Sequence, residues 1–276
     1  MKFLHQLTTE PWFISPDEHA ALLAQQTALF ALAAPATAPV DVSKALAAAF
    51  KQRPEATIEK DTGIAHIHLF GAVARNLAPL QRATGMTDFE QLHQDFAGAT
   101  ASGARGILLH VDSGGGTVNG TPEAAALVAK SPIPVVVHAE RAGSAAYYIA
   151  AGATKIIASP SAEVGSIGVV MPRVDMSEAL KTAGVKSDFI TNTGGDLKAI
   201  NPATPLTPAQ REHLQAQADT MFAAFRAHVT DHRAIPATAM RGQTLSGSAA
   251  LAASLVDGLG TAADARAVLL QRIATN

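Results

Sequence analysis

The sequence predicts an α/β protein in which helices cover a mostly parallel sheet. From residue 61 onward, short apolar segments typical of buried strands alternate with segments that repeat apolar residues at helical spacing. Such alternation favours parallel strands joined by helices. Apolar residues make up 48% of the chain and charged residues 16%, so a sizeable core can be buried.

Most predicted strands are short apolar runs, whereas residues 64–70 alternate apolar residues with histidines. The predicted helices have capping signals or an apolar face. Strands are predicted at residues 64–70, 107–111, 135–137, 155–158, 167–171 and 186–191. Helices are predicted after a Thr-x-x-Glu capping box at 87–90, from Thr121-Pro122, from Thr207-Pro208 to about His232, and at residues 176–182, 248–255 and 262–273. We expect these elements to form one domain over residues 61–276.

Residues 1–60 differ in composition and are predicted to form an N-terminal helical arm with a linker. A helix is predicted from Pro16 to about Gln26, an Ala/Pro/Thr-rich linker at 33–40, and a second helix at 43–52. The N-terminus has one early positive charge, but the apolar stretch of a signal peptide does not follow it.

Charge and cysteine content exclude several classes of function. A net charge of −2 gives no reason to expect nucleic acid or an anionic membrane surface as a partner. The absence of cysteine excludes disulfides, thiol catalysis and cysteine-based zinc sites. Apolar runs long enough to span a bilayer are missing, so we expect a soluble, cytoplasmic protein without a membrane anchor. We also expect no cofactor and no metal.

A glycine-rich turn at residues 112–118 follows one predicted strand and precedes a helix. Gly114, Gly115 and Gly116 let the backbone turn sharply and present N–H groups. Such groups can bind phosphate at a helix N-terminus or stabilise an oxyanion. The phosphate interpretation is weak because the Gly-Lys-Ser/Thr of a Walker loop is missing. By itself, the segment is equally well an ordinary glycine-rich turn.

Ser144 lies at a second strand-to-helix turn, between the strand that begins at residue 135 and an apolar helix. A serine there is commonly an N-cap, whose side chain accepts a hydrogen bond from a helix amide. The alternative is a nucleophile at a sharp turn, where the small neighbours Gly143 and Ala145 let a peptide approach. The Gly-x-Ser-x-Gly motif of hydrolases is not met, because alanines occupy both glycine positions.

A serine nucleophile needs a base, and the residue types alone do not decide which one it is. His66, His68 and His110 lie on predicted strands, and we interpret them as partly buried, hydrogen-bonded side chains. Lys198 lies in a glycine-rich loop, where a lysine is normally solvated, and a lysine acts as a base only when its neutral form is favoured. Ser166 is an ordinary turn serine by itself, but it could orient a neutral lysine beside it.

Five segments in this order resemble peptidase family S49, the family of signal peptide peptidase A. They are the Asp-Ser-Gly-Gly-Gly loop at 112–116, Ser144 with Tyr147-Tyr148, the Gly-Ser-Ile-Gly-Val segment at 165–169, Lys198 with the Asn-Pro that follows it, and the segments at 242–245 and 255–260. The similarity covers about residues 62–270.

The resemblance implies a serine peptidase with a Ser–Lys dyad. Its fold would be similar to ClpP and crotonase, a spiral of β-β-α units preceded by the helical arm. Ser144 would be the nucleophile, Lys198 its base, and Ser166 the group that orients the lysine. The loop Gly114–Gly116 would supply the oxyanion and substrate-binding N–H groups. Gly114 stands where the family commonly has proline, which loosens this loop.

The resemblance also implies a ring-like homo-oligomer in which the lysine of one subunit reaches the serine of its neighbour. The early Pro11-Trp12 and the missing membrane anchor are similar to the phage and prophage branch of the family. Members of that branch act in capsid assembly and cleave scaffold or portal-associated proteins. We therefore expect an endopeptidase that acts on a peptide or protein substrate.

Two other functions stay open from the sequence. The spiral could serve only as a non-catalytic capsid assembly or scaffold protein, although neither Ser144 nor Lys198 is needed for packing. A crotonase-like acyl-CoA enzyme uses a similar oxyanion loop, but the sequence lacks a basic cluster suited to the CoA phosphates. Reaction of Ser144 with an acylating probe would separate the peptidase from both alternatives.

Overall fold

The computed structural model describes residues 11–14, 19–24 and 50–275. Within these ranges the strands are β1 (Trp12–Phe13), β2 (Thr57–Ile58), β3 (Ile64–Phe70), β4 (Val73–Ala74), β5 (Thr87–Asp88), β6 (Gly106–Ser113), β7 (Gly116–Thr117), β8 (Val135–Gly143), β9 (Lys155–Gly165), β10 (Thr244–Ser246) and β11 (Gly258–Leu259). The helices are α1 (Pro79–Arg82), α2 (Phe89–Ala101), α3 (Thr121–Ala129), α4 (Ala145–Ala151), α5 (Ser177–Thr182), α6 (Pro208–His232), α7 (Gly247–Ala252) and α8 (Ala262–Thr275). Short 3-10 turns cover Asp196–Ala199 and Ala237–Ala239, and residues 19–24 are also helical.

The centre of the large sheet is parallel, in the spatial order β3-β6-β8-β9. The strands β2 and β10 add antiparallel edges, and β11 pairs in parallel with β9. A second, smaller sheet contains β1, β7, β4 and β5 in that order. The parallel centre and the helices between its strands confirm the predicted α/β class.

Long strands of the large sheet are followed by short strands of the small sheet and then by a helix. β3 is followed by β4, the short helix α1, β5 and α2, and β6 is followed by β7 and α3. The short strands β4 and β7 pair in parallel at Val73 and Gly116. β8 leads directly into α4. These repeated units have the β-β-α order predicted for the spiral.

The centre of the large sheet is covered by helices on both faces. Ile107 and Leu109 of β6 belong to the main core with α2, α3 and α4, whereas Leu108 packs with Leu269 of α8 on the opposite face. Successive side chains of a strand point to opposite faces, so a strand that is covered on both sides needs a continuous apolar run. The Ile-Leu-Leu sequence of β6 meets this requirement.

Two central strands extend beyond the predicted bounds. β8 continues to Gly143 and β9 to Gly165, past the apolar runs from which they were predicted. Their mutual register shifts between Ala139 and Arg141, and polar residues follow this irregularity in both strands. The extended ends carry the serines at 144 and 166 to the same edge of the sheet. Within the described residues, no helix is long and apolar enough to cross a bilayer.

The predicted capping box before α2 is wrong. The Thr87 hydroxyl accepts a hydrogen bond from the Phe70 amide and donates one to the Phe70 carbonyl, so it joins two strands. Asp88 caps α2 instead, because its carboxylate accepts from the amide of Glu90 at 3.0 Å. The Thr207 capping box of α6 is confirmed, with Gln210 as its second member.

Other predicted elements differ from the structure as well. Residues 186–191 are mostly exposed and do not form a strand, and of residues 167–171 only Val170 makes a bridge, which is to Trp12. Residues 50–52, the end of the second predicted N-terminal helix, are not helical. The rest of that helix, the linker at 33–40 and both ends of the first predicted helix lie outside the described residues. The domain boundary near residue 60 stays a prediction.

Candidate active site

Ser144 joins the end of β8 to the start of α4 at a strained turn. Its backbone angles are φ 48° and ψ −112°, in a region that residues other than glycine rarely adopt. Strain of this kind persists only where the surrounding structure holds it, and it is concentrated at functional sites. The Ser144 side chain makes no capping hydrogen bond, so the N-cap interpretation does not explain the residue. The nucleophilic serines of α/β-hydrolases lie on similar strand-to-helix turns.

Backbone hydrogen bonds hold this turn in place. The Ser144 amide donates to the Gly165 carbonyl at 2.7 Å, and the Tyr148 amide donates to the Ser144 carbonyl at 2.8 Å. Ser144 is only 1% exposed, and its Oγ lies 3.5 Å from the carbonyl oxygen of Gly168. A hydrogen bond of that length is weak, so the hydroxyl can turn toward a base at little cost.

Tyr147 anchors the helix that follows the serine. It is fully buried, and its hydroxyl donates to the Leu255 carbonyl at 2.8 Å. Burial raises the pKa of Tyr147, so the phenol keeps its proton and remains a hydrogen-bond donor. The aromatic residue three positions after Ser144 is therefore a structural anchor for α4.

The glycine loop lies directly beside the serine turn. A methyl group on Gly143 would lie 2.9 Å from the Gly114 carbonyl oxygen. A methyl group on Gly115 would lie 3.1 Å from the amide nitrogen of Ala145 and 2.1 Å from the carbonyl oxygen of Phe13. Gly115 also has a φ of 117°, which side-chain-bearing residues rarely adopt. Glycine at these positions is required for the close approach of the two segments.

Candidate oxyanion donors come from this loop and from the first turn of α4. The Gly115 amide donates to Ser113 Oγ at 3.2 Å, and Gly116 pairs with Phe13 of β1. Ala145 is the first residue of α4, and the first N–H groups of a helix have no partner within the helix. Sequence reasoning selected the glycines and missed Ala145, because a backbone donor carries no side-chain signal.

Ser166 follows β9 just as Ser144 follows β8. The two preceding residues, Gly143 and Gly165, are paired in register across these neighbouring strands. Ser166 has a φ of 52°, is buried, and donates its amide hydrogen to the Gln243 carbonyl at 2.8 Å. The structure thus brings Ser144, Ser166 and the glycine loop together at one edge of the sheet.

Lys198 does not belong to this group within the chain. It lies in the exposed 3-10 turn Asp196–Ala199, where its amide donates to the Gly195 carbonyl at 3.0 Å. Among the described residues, the Lys198 amine makes no hydrogen bond or ion pair with any side chain, Ser144 included. The single chain therefore presents the predicted base to solvent.

The residues before Lys198 expose a large share of the apolar surface. Of the nine large apolar side chains that are exposed in the described part of the chain, six lie between residues 174 and 197. They include Phe189, which is 50% exposed, and Ile190, which is 97% exposed. Solvent exposure of adjacent large apolar residues is unfavourable and is typical of surfaces that contact another molecule.

A cavity of about 460 Å³ lies beside the serine turn. Ser166, Gly168 and Ile14 contribute to its lining, together with Phe222 from α6. Gly168 is the residue whose carbonyl faces Ser144 Oγ. The cavity is therefore close enough to the serine to hold a side chain of a bound peptide. Sequence reasoning missed the contribution of Ile14, because residues 1–60 were predicted to form a separate arm.

Histidines on the parallel strands form a partly buried cluster away from Ser144. His68, His110 and His138 lie in register on β3, β6 and β8. A hydrogen bond joins His66 Nδ1 to His110 Nε2 at 3.0 Å, and another joins His66 Nε2 to Glu59 Oε1 at 2.8 Å. Burial lowers the pKa of His68 and of His110 to about 4. The prediction of partly buried, hydrogen-bonded side chains is confirmed for His66 and His110. The His68 ring is partly buried and stacks on His110 with 4.7 Å between the ring centroids, but its side chain makes no hydrogen bond among the described residues.

Comparison with known sequences matches a family to the part of the chain that contains Ser144, Ser166 and Lys198. Residues 128–275, more than half of the 276 residues, match the sequence profile described as Peptidase family S49. The chain is 26% identical over 234 residues to the head-tail preconnector protein GP5 of Enterobacteria phage P21, which covers 82% of this chain and 46% of that protein. It is 27% identical over 215 residues to the capsid assembly protease C of Escherichia phage lambda, which covers 75% of this chain and 48% of that protein.

The chain thus spans about half the length of the curated relatives it matches. Among solved structures, a mutant of ClpP1 from Listeria monocytogenes superposes with a TM-score of 0.49 and 12% sequence identity, covering 74% of this chain and 95% of that chain.

Proposed function

Because the chain belongs to peptidase family S49, we propose that it is a serine peptidase with Ser144 as nucleophile and Lys198 as general base. The observation that carries the proposal is the strained turn at Ser144, which lies against the glycine loop and leaves the side chain without a capping role. Packing alone gives no reason to hold a serine in this conformation. A nucleophile that must present its oxygen beside backbone N–H groups does give one.

The proposed reaction is acyl transfer through an ester intermediate. The neutral amine of Lys198 takes the proton from Ser144 Oγ, which attacks the carbonyl carbon of the peptide bond. N–H groups from Gly115, Gly116 and Ala145 hold the oxyanion, and each donor contributes about 10²–10³ in rate. The lysine then gives its proton to the leaving amine. Water hydrolyses the ester on Ser144, with the lysine again as base, and Ser166 orients the amine.

The base is supplied by another copy of the chain in this proposal. Lys198 is exposed, and the apolar residues that precede it include the exposed Phe189 and Ile190. A contact that covers these residues would also remove water from the amine, and desolvation favours the neutral form that a general base needs. The protein would then be a homo-oligomer whose active sites form only on assembly.

The substrate is proposed from the chemistry and from the relatives. A serine beside an oxyanion loop and a strand edge suits an extended segment of a protein chain. The matched proteins of phages P21 and lambda are named for head–tail connection and capsid assembly. We therefore place the substrate among the proteins of a phage or prophage head precursor, such as a scaffold or portal-associated protein.

Intact-mass spectrometry after treatment with a fluorophosphonate tests the nucleophile. Wild type should gain one adduct per chain, Ser144→Ala none, and Lys198→Ala an adduct only very slowly. Ser248→Ala is the matched control, because Ser248 is an exposed serine in the first turn of α7 and should leave labelling unchanged. An adduct that persists in Ser144→Ala, or no adduct on folded and self-associated wild type, would contradict the proposal.

A further inference from the structure

The N-terminal strand β1 fills the space between the glycine loop and the segment after β9. On one side, Trp12 pairs with Thr117 and Phe13 pairs with Gly116 in antiparallel register. On the other side, the Trp12 amide donates to the Val170 carbonyl at 2.8 Å, and the Val170 amide donates to the Trp12 carbonyl at 2.9 Å. Backbone hydrogen bonds therefore flank β1 on both edges.

The strand runs toward the nucleophile. Extending its register by one residue places Ile14 opposite Gly115, and the Phe13 carbonyl oxygen already lies against the backbone of Gly115. Ile14 also lines the cavity beside Gly168, whose carbonyl faces Ser144 Oγ. A peptide that delivers a carbonyl carbon to Ser144 would approach along this same line.

Extended peptides commonly bind by adding a strand to a sheet edge, where backbone hydrogen bonds give affinity and side-chain pockets give specificity. We propose that the slot between β7 and Val170 is the binding site for an extended apolar peptide and that residues 11–14 occupy it from within the chain. A substrate then gains access to Ser144 only by displacing β1. This inference rests on the proposed function, to which it adds the class of substrate and the control of access.

The pockets under β1 define the class of peptide. Trp12 is fully buried in a cluster with Leu77 and Met86, whereas the ring of Phe13 lies 4.9 Å from the ring of Phe225 in the main core. Simple opening would leave both pockets empty and expose both rings, which is costly. A peptide with large apolar side chains at two consecutive positions would refill them. Exchange with such a peptide is therefore much easier than opening, and polar peptides are excluded.

Fluorescence of Trp12 reports the position of β1, because this is the only tryptophan of the chain. The full-length protein is titrated with a synthetic peptide that copies residues 10–15 but carries phenylalanine in place of the tryptophan. Displacement moves Trp12 from a dry pocket into water, so its emission maximum should shift to longer wavelength and saturate. Ser144→Ala should show the same shift, since binding requires no reaction. An emission maximum that stays constant while the peptide inhibits cleavage would overturn the proposal.

A disulfide can lock β1 in place, because the chain has no cysteine of its own. The Val118 amide donates to the Pro11 carbonyl at 3.3 Å, so these residues oppose each other across β1 and β7. Opposed residues of an antiparallel pair are about 5.5 Å apart at Cα, which suits a disulfide. The variant for this test carries Pro11→Cys and Val118→Cys. Its matched control carries Ser246→Cys and Glu163→Cys, an exposed antiparallel pair of β9 and β10.

Oxidation of the locked variant should abolish the Trp12 shift. It should also lower cleavage of dye-labelled casein by at least about tenfold, because apparent affinity scales with the fraction of open protein. Reduction should restore both, and the control should be insensitive to oxidation. Equal cleavage by the oxidised and reduced locked variant, with Ser144 labelling intact, would overturn the inference alone. A wild-type protein that fluorophosphonate does not label at Ser144 would contradict the proposed function. The Trp12 titration would still show whether a peptide displaces β1.

Discussion

The turn at Ser144 and the loop at Lys198 are built in opposite ways. Ser144 is 1% exposed and is held in a strained conformation by β9 and the glycine loop. Lys198 is exposed in a short 3-10 turn, where its side chain has no bonding partner among the described residues. Packing within one chain therefore positions the proposed nucleophile completely and leaves the proposed base unpositioned.

This difference indicates how activity could be linked to assembly. Backbone strain persists only where the surrounding structure over-determines it, so the nucleophile must be built into the core of each chain. A base can come from a surface that becomes buried later. In an isolated chain Ser144 would then be in position but would have no general base beside it. Uncontrolled proteolysis before assembly would be avoided.

The largest effect is expected from removing the base. Lys198→Ala should lower peptide cleavage by about 10⁴-fold, because members of a catalytic unit act together. Its melting temperature should stay unchanged, since the side chain is exposed. Lys181→Ala, which removes another exposed lysine, is the matched control and should retain activity. Steady-state kinetics and thermal melting measure both outcomes, and full activity of Lys198→Ala would place the base elsewhere.

A smaller effect is expected from crowding the glycine loop. Gly115→Ala would place a methyl group 2.1 Å from the Phe13 carbonyl oxygen, so the loop must shift away from Ser144. Displacing one oxyanion donor costs about 10²–10³ in kcat. Gly98→Ala is the control, because a methyl group there meets nothing within 4 Å and α2 should gain about 0.5–1 kcal/mol in free energy of unfolding. Unchanged kcat in Gly115→Ala would show that this loop does not hold the oxyanion.

The histidine cluster on β3, β6 and β8 should make the stability of the protein depend on pH. The pKa of His68 and of His110 is about 4 in the fold because burial disfavours the charged ring, against an ordinary value of about 6.5. Between these values the unfolded chain binds more protons than the folded chain. The contribution of these two histidines to the free energy of unfolding should therefore be complete above about pH 6.5. It should decrease as the pH drops toward 4.

Urea denaturation at several pH values measures this dependence, and His110→Asn should reduce the loss of stability across the window. Cleavage measured at the same pH values separates unfolding from the titration of the dyad, because the cluster lies away from Ser144. A free energy of unfolding that is constant from pH 7 to pH 4 would contradict the burial of neutral histidines.

The smallest effect concerns the strain itself. Ser144→Gly should be more stable than Ser144→Ala by about 1 kcal/mol, because glycine adopts a positive φ without steric cost. Both variants lack the nucleophile, so the difference between their urea midpoints measures the cost of the positive φ at residue 144. The same pair at the exposed Lys198 should show the reverse order, since glycine only adds flexibility there. Equal stability of the two Ser144 variants would mean that the turn is not strained.

Much of the fold could be predicted from the sequence, and so could the two serine turns and the glycine loop of the candidate site. The apolar runs of β6, β8 and β9 are continuous because these strands are covered on both faces, and this makes them easy to recognise. β3 was recognised instead by the alternation of apolar residues with histidines. Ser144, Ser166 and the glycines were selected through the resemblance to the family, because their residue types alone fit an N-cap and ordinary turns as well. The donor at Ala145 could not be found in this way, since any residue has an amide.

Two errors in the predicted strands have different physical causes. Residues 186–191 were predicted to be a strand because apolar residues such as Phe189 and Ile190 favour buried positions, yet these side chains are exposed in the single chain. A sequence does not distinguish apolar residues that fill a core from those that another copy covers. β1 was missed because a two-residue strand has no periodicity, and its partners Thr117 and Val170 lie far away along the chain.

Mixing two inactive variants tests the shared active site most directly. Ser144→Ala and Lys198→Ala are dissociated, combined in equal amounts and reassembled, and peptide cleavage is compared with that of each variant alone. A site that takes its serine from one copy and its lysine from another should recover about a quarter of wild-type activity after random mixing. A mixture that stays as inactive as its components, although the copies have exchanged, would contradict a dyad formed between chains.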